Sequence, residues 1–530
     1  MELIKSDKFE RLLIFLILIA APSVPVVLNP DYPFGNGNVC DTLVYNFLNF
    51  YYDLPFDFHY MEDRISAIFP NFLIYKIFSD PFATYFNYFL WFYLLLISIY
   101  FCLIQLGEKK EALVGVLLMA TTSLSTGILV TDYPASKALV WAFISLGFLL
   151  KKESNKTKRL SYIYSGVFLC FSLVAQLRII LSLAFFPILL FEKYEISRDN
   201  IFKILKVLLG LIIGYLFLGL INYLFLGREV FFLRDTFEVI FWSEEGMRGN
   251  YFDRFKNSAS SSLFFIGLAL AIMEVVKKKE FTQISLASIL TSLIVLFYIA
   301  IDGNYFITSN YHFSSIIVLL LVFKVLLKDK LNNISVYNIA FVSMLALAVS
   351  YLLRVDIQRS LFENIQFGFY LVLIAFVFIL KIAPKKLKVL LIFLYFASLR
   401  PDLHFGKNQL ENRWQKYPRY TKSYALKLRS EIQEIVSAGL DTSPLAIMSE
   451  ISTTKGDFKS SVVYSFLGCG SRDIVKISEI PKQFTFSNRK WLLSDLDQLK
   501  LNRFLKKEKT IKYEYVSNPV PNLYLYKIKK

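Results

Sequence analysis

The sequence predicts an all-α polytopic membrane protein of about 13 transmembrane helices, followed by a small C-terminal mixed α/β soluble domain. Three observations predict it. Apolar runs near bilayer-spanning length recur through a chain of 530 residues that is 55% hydrophobic, 17% aromatic and only 19% charged, with a mean hydropathy of +0.48. Soluble domains do not reach that balance. Lys and Arg gather on one set of connections, which include KKESNKTKR, VVKKKE, KVLLKDK and PKKLK and with the N-terminus hold roughly two dozen, and the longer loops opposite hold about half as many. After Arg400 the apolar runs shorten and charges rise. The net charge of +17 is therefore a topology signal rather than a nucleic-acid footprint.

The expected division is a membrane domain over 1–400 and a soluble domain over 401–530, with a first exoplasmic loop at about 29–81. Met1 to Arg11 is short and charged, and Leu12 to Leu28 reads as a retained first span. Ala20 and Ala21 sit inside that run, and Pro22, Pro25 and Pro30 mark its outer end, which argues against a cleaved signal. Further spans are expected at Phe82 to Leu106, Leu113 to Val130, Ala138 to Leu150, Leu160 to Val174, Ile179 to Leu190 and Ile204 to Leu226. The remainder fall near Ser261 to Val276, Ile284 to Ile301, Phe313 to Leu327, Ile339 to Leu353, Phe367 to Ile382 and Val389 to Leu399. The positive-inside rule puts the N-terminus in the cytoplasm, and an odd span count sends the tail to the other side. In that tail PLAIMSE, RDIVKISEI, TIKYEYV and NLYLYKIKK read as strands, and SDLDQLKLNRFLKK as a capped helix. It holds no phosphate loop or nucleophile elbow; a purely structural part is favoured over covering the membrane cavity or holding an acceptor.

The stretch from Asn36 to Ile77 is the most informative. It carries Asp41, Asp53, Asp57, His59, Glu62, Asp63 and Arg64 directly after a span. Val39, Leu43, Phe47 and Phe50 recur at helical spacing, and so do Ile65, Phe69, Leu73 and Ile77. Two amphipathic pieces lying on the membrane would hold Asp41 near the end of the first span, where a carboxylate suits a general base acting on a lipid-borne substrate. A solvated loop whose acids cap helices is the alternative.

Other polar residues stand at span ends. Asp132 lies in the turn before Pro134, which fits the first position of a helix, so the acid either holds that turn or meets substrate. Arg178 either takes a lipid phosphate in its guanidinium fork or snorkels to the surface. His312 lies in the outer turn DGNYFITSNYHF, as a surface histidine or a site residue. Arg248 belongs, with Arg228, Arg234, Arg254 and Lys256, to a basic and aromatic second outer loop that suits an anionic lipid or glycan, or simple headgroup anchoring. Four cysteines are too few for a disulfide scaffold. Cys102 and Cys170 read as packing residues, while Cys40 and Cys469 share the non-cytoplasmic side as a pair or as two thiols. With three histidines, no Cys/His cluster has metal-ligand spacing, and no internal repeat or low-complexity segment is present.

The order Asp41, Tyr45, Tyr60, Arg64 and Pro70 resembles the first exoplasmic loop of the GT-C glycosyltransferases, multispan enzymes that take sugars from polyprenyl-phosphate carriers. The TDYP turn at 131–134 is similar to a second feature of their protein O-mannosyltransferase and aminoarabinose-transferase branch. Unlike the mannosyltransferases, the loop has a single Asp41 between Cys40 and Thr42, and it lacks the WWD signature of oligosaccharyltransferases. The resemblance implies a GT-C-like fold, a polyprenyl-phosphate-linked sugar as donor and a lipid or glycan as acceptor. It implies no nucleic acid and no obligatory cofactor, with a divalent metal compatible with it, in a bacterial inner membrane with a periplasmic C-terminal domain. Asp41 would be the base of an inverting transfer. Arg178 or Arg248 would hold the donor phosphate, and Glu62, Arg64, Asp132 and His312 would shape the acceptor side. An outer-leaflet glycan polymerase is the closest rival. A lipid or solute transporter would instead show charges inside its spans and repeated halves.

Overall fold

A computed structural model describes parts of residues 10–18 and 48–49, then 63–79, 82–120, 134–151, 155–176, 186–191, 197–233 without 228, parts of 268–276, and 279–300. It also describes Leu320, Leu321 and Lys324, Leu499, and five C-terminal strands. Seven helices are named here: α1 Ile65–Ile77, α2 Phe82–Leu103, α3 Lys109–Ala120, α4 Pro134–Leu150, α5 Asn155–Ala175, α6 Arg198–Leu226 and α7 Gln283–Ala300, with a 3-10 turn at Phe186–Leu190 before α6. Two of them, α2 and α6, are long and apolar enough to cross a membrane. The span expected from Ile339 to Leu353, those after it and the boundary near residue 400 lie outside the described residues.

Helix boundaries follow capping chemistry rather than hydropathy. The span expected from Ile204 begins earlier, at Arg198, because Ser197 takes an extended conformation and its hydroxyl accepts the Asn200 N–H at 3.2 Å. Asp199 then sits in the first turn, favourable to the helix dipole. At the other end Gly227 takes φ 62 and closes the helix onto the carbonyls of Asn222 and Tyr223. Likewise α4 begins at Pro134 rather than Ala138, since a proline at the first helical position gives up no hydrogen bond.

The described helices pack as α2 against α4, α4 against α5, and α5 against α6. The antiparallel α4–α5 pair is fixed by hydroxyls. Ser172 donates to the Ala138 carbonyl at 2.8 Å, and Ser145 donates to the Ser165 carbonyl at 2.6 Å. The α5–α6 pair is fixed by missing side chains instead. A Cβ on Gly210 would lie 2.1 Å from the Ile163 carbonyl oxygen, and one on Gly166 would lie 2.1 Å from that of Val207. Only glycine allows that approach. Aromatic rings join the layers: Trp91 of α2 meets Trp141 of α4 edge-on at 5.6 Å, Trp141 meets Phe171 of α5 at 5.5 Å, and Phe171 stacks on Phe217 of α6 at 6.0 Å. Cys102 and Cys170 are buried free thiols in this packing, as expected.

The C-terminal strands are β1 Leu445–Ser449, β2 Ile474–Lys476, β3 Trp491–Ser494, β4 Lys512–Val520 and β5 Leu523–Lys529. They form one sheet in the order β2-β1-β3-β5-β4. β1 runs parallel to β2 and β3, while β5 is antiparallel to β3 and β4. β1, β2 and β5 lie in stretches read as strands from sequence, β4 begins in one and runs four residues past it, and β3 lies outside them. Its short WLLS carries too little alternation to show the period of a strand. β4 shifts register between Ser517 and Val520, across Pro519, which has no N–H to give to a ladder.

Candidate functional site

The site is built outward from α1, the second of the two amphipathic pieces in the opening loop. The expected stripe is split: Ile65 is buried and Phe69 half-buried, while Leu73 at 40% and Ile77 at 72% are exposed beside Lys76. The buried face is the more polar one, carrying Ser66, Asn71 and Tyr75 beside Ile65, Ile68 and Phe72. That is the arrangement a membrane favours, because lipid solvates apolar side chains while helix contacts gain from small and polar ones.

Pro70 lies inside α1 and has no N–H, so it leaves the Ser66 carbonyl, four residues back, without its helical partner. The Trp141 indole of α4 donates to that carbonyl at 3.2 Å. The Ser66 hydroxyl in turn donates to the Phe171 carbonyl of α5 at 2.7 Å. A gap in one helix is thereby filled by a side chain of another, and the two are locked in register.

Arg64, of the residues singled out from sequence, lies where α1 begins. Its guanidinium donates to the Ala175 carbonyl at 3.1 Å and to the Gln176 side-chain oxygen. A cation on the last carbonyl of α5 is favoured by the helix dipole. Gln176 is buried, and its Nε2 has no hydrogen-bond partner. The Ser172–Ala138 bond sets the start of α4 beside the end of α5. Lys137 is 1% exposed.

Asp41, Glu62, Asp132, Arg178, Arg248 and His312 lie outside the described residues, as do Cys40 and Cys469. Arg64 is thus brought together with Ala175 and Gln176, which the sequence reading did not single out, and Ser66, two residues on, with Trp141. Lys137 was placed just before a span, whereas the helix starting at Pro134 carries it into the core. Pro134 itself was the available signal, since a helix counted from it puts Lys137 in the first turn. Buried amides also link α1 to α2 and to the stretch before α1. Trp91 donates to Asn71 Oδ1 at 2.6 Å, and Asn71 donates to Asn49 Oδ1 at 3.1 Å. Among the described residues, no group of three His, Cys, Asp or Glu side chains could hold a metal ion.

No protein-family model matches the chain, and no curated protein matches it. Similar solved structures include ArnT from Cupriavidus metallidurans in the apo state, at TM-score 0.45 and 10% identity, covering 97% of both chains. The same enzyme bound to undecaprenyl phosphate matches at TM-score 0.46 and 10% identity, over 97% of both chains. The Archaeoglobus fulgidus oligosaccharyltransferase complex with Zn and sulfate matches at TM-score 0.41 and 12% identity, over 95% of this chain and 71% of that one.

Proposed function

We propose that the chain is an inner-membrane glycosyltransferase that moves a sugar from a polyprenyl-phosphate carrier to a lipid or glycan acceptor at the outer leaflet. The structural observation that supports this reading lies at the start of α1, where Arg64 holds the end of α5 and Gln176 Nε2 is buried without a hydrogen-bond partner. A buried N–H donor of this kind favours an acceptor group beside it. The loop order Asp41, Tyr45, Tyr60, Arg64 and Pro70 supplies the rest of the argument. The same reading includes the thirteen-span layout and the outward C-terminal domain.

In this mechanism Asp41 takes the proton of an acceptor hydroxyl as that oxygen attacks the anomeric carbon. The bond between that carbon and the carrier phosphate breaks on the opposite face, so the configuration inverts. The electron pair leaves on the phosphate, where Arg178 or Arg248 stabilises the charge that builds in the transition state. Glu62, Arg64, Asp132 and His312 shape the acceptor side.

Asp41→Asn tests this directly. Removing a general base typically costs about 10²–10⁴-fold in rate, so transfer from radiolabelled polyprenyl-phosphate sugar should fall by that order while the variant elutes and melts like wild type. Undiminished turnover would remove Asp41 as the base. A second reading, a lipid or solute transporter, draws on Lys137, a buried charge of the kind transport pathways need. The same labelled substrate separates the two, since a transporter would move it across proteoliposomes without breaking the sugar–phosphate bond.

A further inference from the structure

The buried amides that link α1 to α2 form a relay whose polarity is fixed by chemistry. An indole can only donate, so the Trp91 Nε1–H requires Asn71 to present its oxygen, at 2.6 Å. Asn71 therefore presents its NH2 to the oxygen of Asn49, at 3.1 Å. This leaves Asn49 Nδ2 pointing away, buried and without a partner. The three residues come from α2, α1 and the opening-loop stretch before α1, and all three are buried. Leu48, next to Asn49, is buried as well.

The relay is not the most stable way to fill this space. A buried unsatisfied donor costs about 1–3 kcal/mol, and three well-packed apolar side chains would leave none. What the amides add is direction: each bond is made in one orientation only, so the loop stretch can dock on α1 and α2 in one register. Asn49 stands about two helical turns after Asp41 in the amphipathic piece read from the sequence.

We propose that Asn71 is a positioning residue for the transfer reaction: through Asn49 and Trp91 it holds Leu48 and Asn49, which follow Asp41 by seven and eight positions in the sequence, at α1 and α2. This rests on the glycosyltransferase reading for the role of Asp41, but the pinning itself is independent of it. Asn71 touches no substrate and acts through Asn49.

The test uses the full chain in lipid nanodiscs, with Asn71→Leu and Asn49→Leu as separate variants. Hydrogen exchange of peptides covering 36–50 should rise about tenfold or more in both, while peptides from α2, α4 and α5 keep their wild-type protection. With labelled polyprenyl-phosphate sugar, kcat should fall about tenfold with the donor KM little changed. Unchanged exchange over 36–50 overturns the proposal, and so does loosening that spreads through α2, since that would mark a merely structural residue. Faster local exchange with an unaltered kcat also overturns it. If the wild-type protein transfers no sugar at all, the glycosyltransferase reading fails, and the exchange measurement still decides whether the relay pins the loop.

Discussion

The two long apolar helices α2 and α6 look alike in sequence and serve opposite purposes in the fold. In α2, 56% of the residues in the membrane-spanning window are buried, against 28% in α6. The buried face of α2 carries Thr84, Asn87, Trp91 and Ser98, and its partners across the interface are polar as well: Asn71 for Trp91, and Tyr75 for Thr84 at 3.3 Å. In α6 the buried face contains Gly210, Gly214 and Gly219, while Leu205, Leu208, Ile212, Leu216, Phe217 and Leu220 are exposed. The difference teaches that hydropathy marks a span without saying what the span is for. α2 forms the wall behind the candidate site, and α6 has one backbone-close contact with α5 and an outward face suited to lipid.

Breaking the α6 side should give the largest effect. Gly210→Leu puts a branched side chain where even a Cβ meets the Ile163 carbonyl, and it should cost about 3 kcal/mol or more. Thermal unfolding in detergent checks it, and a wild-type midpoint would show that the α5–α6 contact is not close.

The α2 side is sharpened by the gap that Pro70 leaves. Trp141→Phe keeps the ring but removes the donor to the Ser66 carbonyl, and it should destabilise by about 1–3 kcal/mol. Pro70→Ala restores an N–H four residues on, so the double variant should recover part of that loss. A strictly additive pair in a double-mutant cycle would disprove the compensation.

The smallest effect belongs to the outward face of α6. Leu216→Ala should change stability by less than about 0.5 kcal/mol, because the lost surface meets lipid in both forms. A shift as large as that of the glycine variant would mean the face is covered by protein.

Much of the helical part was legible because a long apolar run has few alternatives in water or lipid. The start of α2 at Phe82 coincides with the reading, and α5 differs only at its ends. The starts of α4 and α6 moved outward by a turn or more, since Pro134 and Ser197 decide where a helix begins and hydropathy does not register them. That displacement hid Lys137. The stripe on α1 was visible, but its facing was not, since spacing alone does not say whether the apolar side meets protein or lipid.

By itself the sequence determined that this chain carries long apolar helices, and it set the expectation that basic residues sort to one side of them and that an acidic loop follows the first. Those properties depend on composition and short-range periodicity, which water and lipid read residue by residue. Only the tertiary structure decided that Trp141 completes the α1 backbone, that Arg64 sits on the end of α5 and that Asn71 links two distant segments. Each of those bonds joins residues separated by 20 or more positions, and a directional bond between distant residues leaves no periodic trace in the chain.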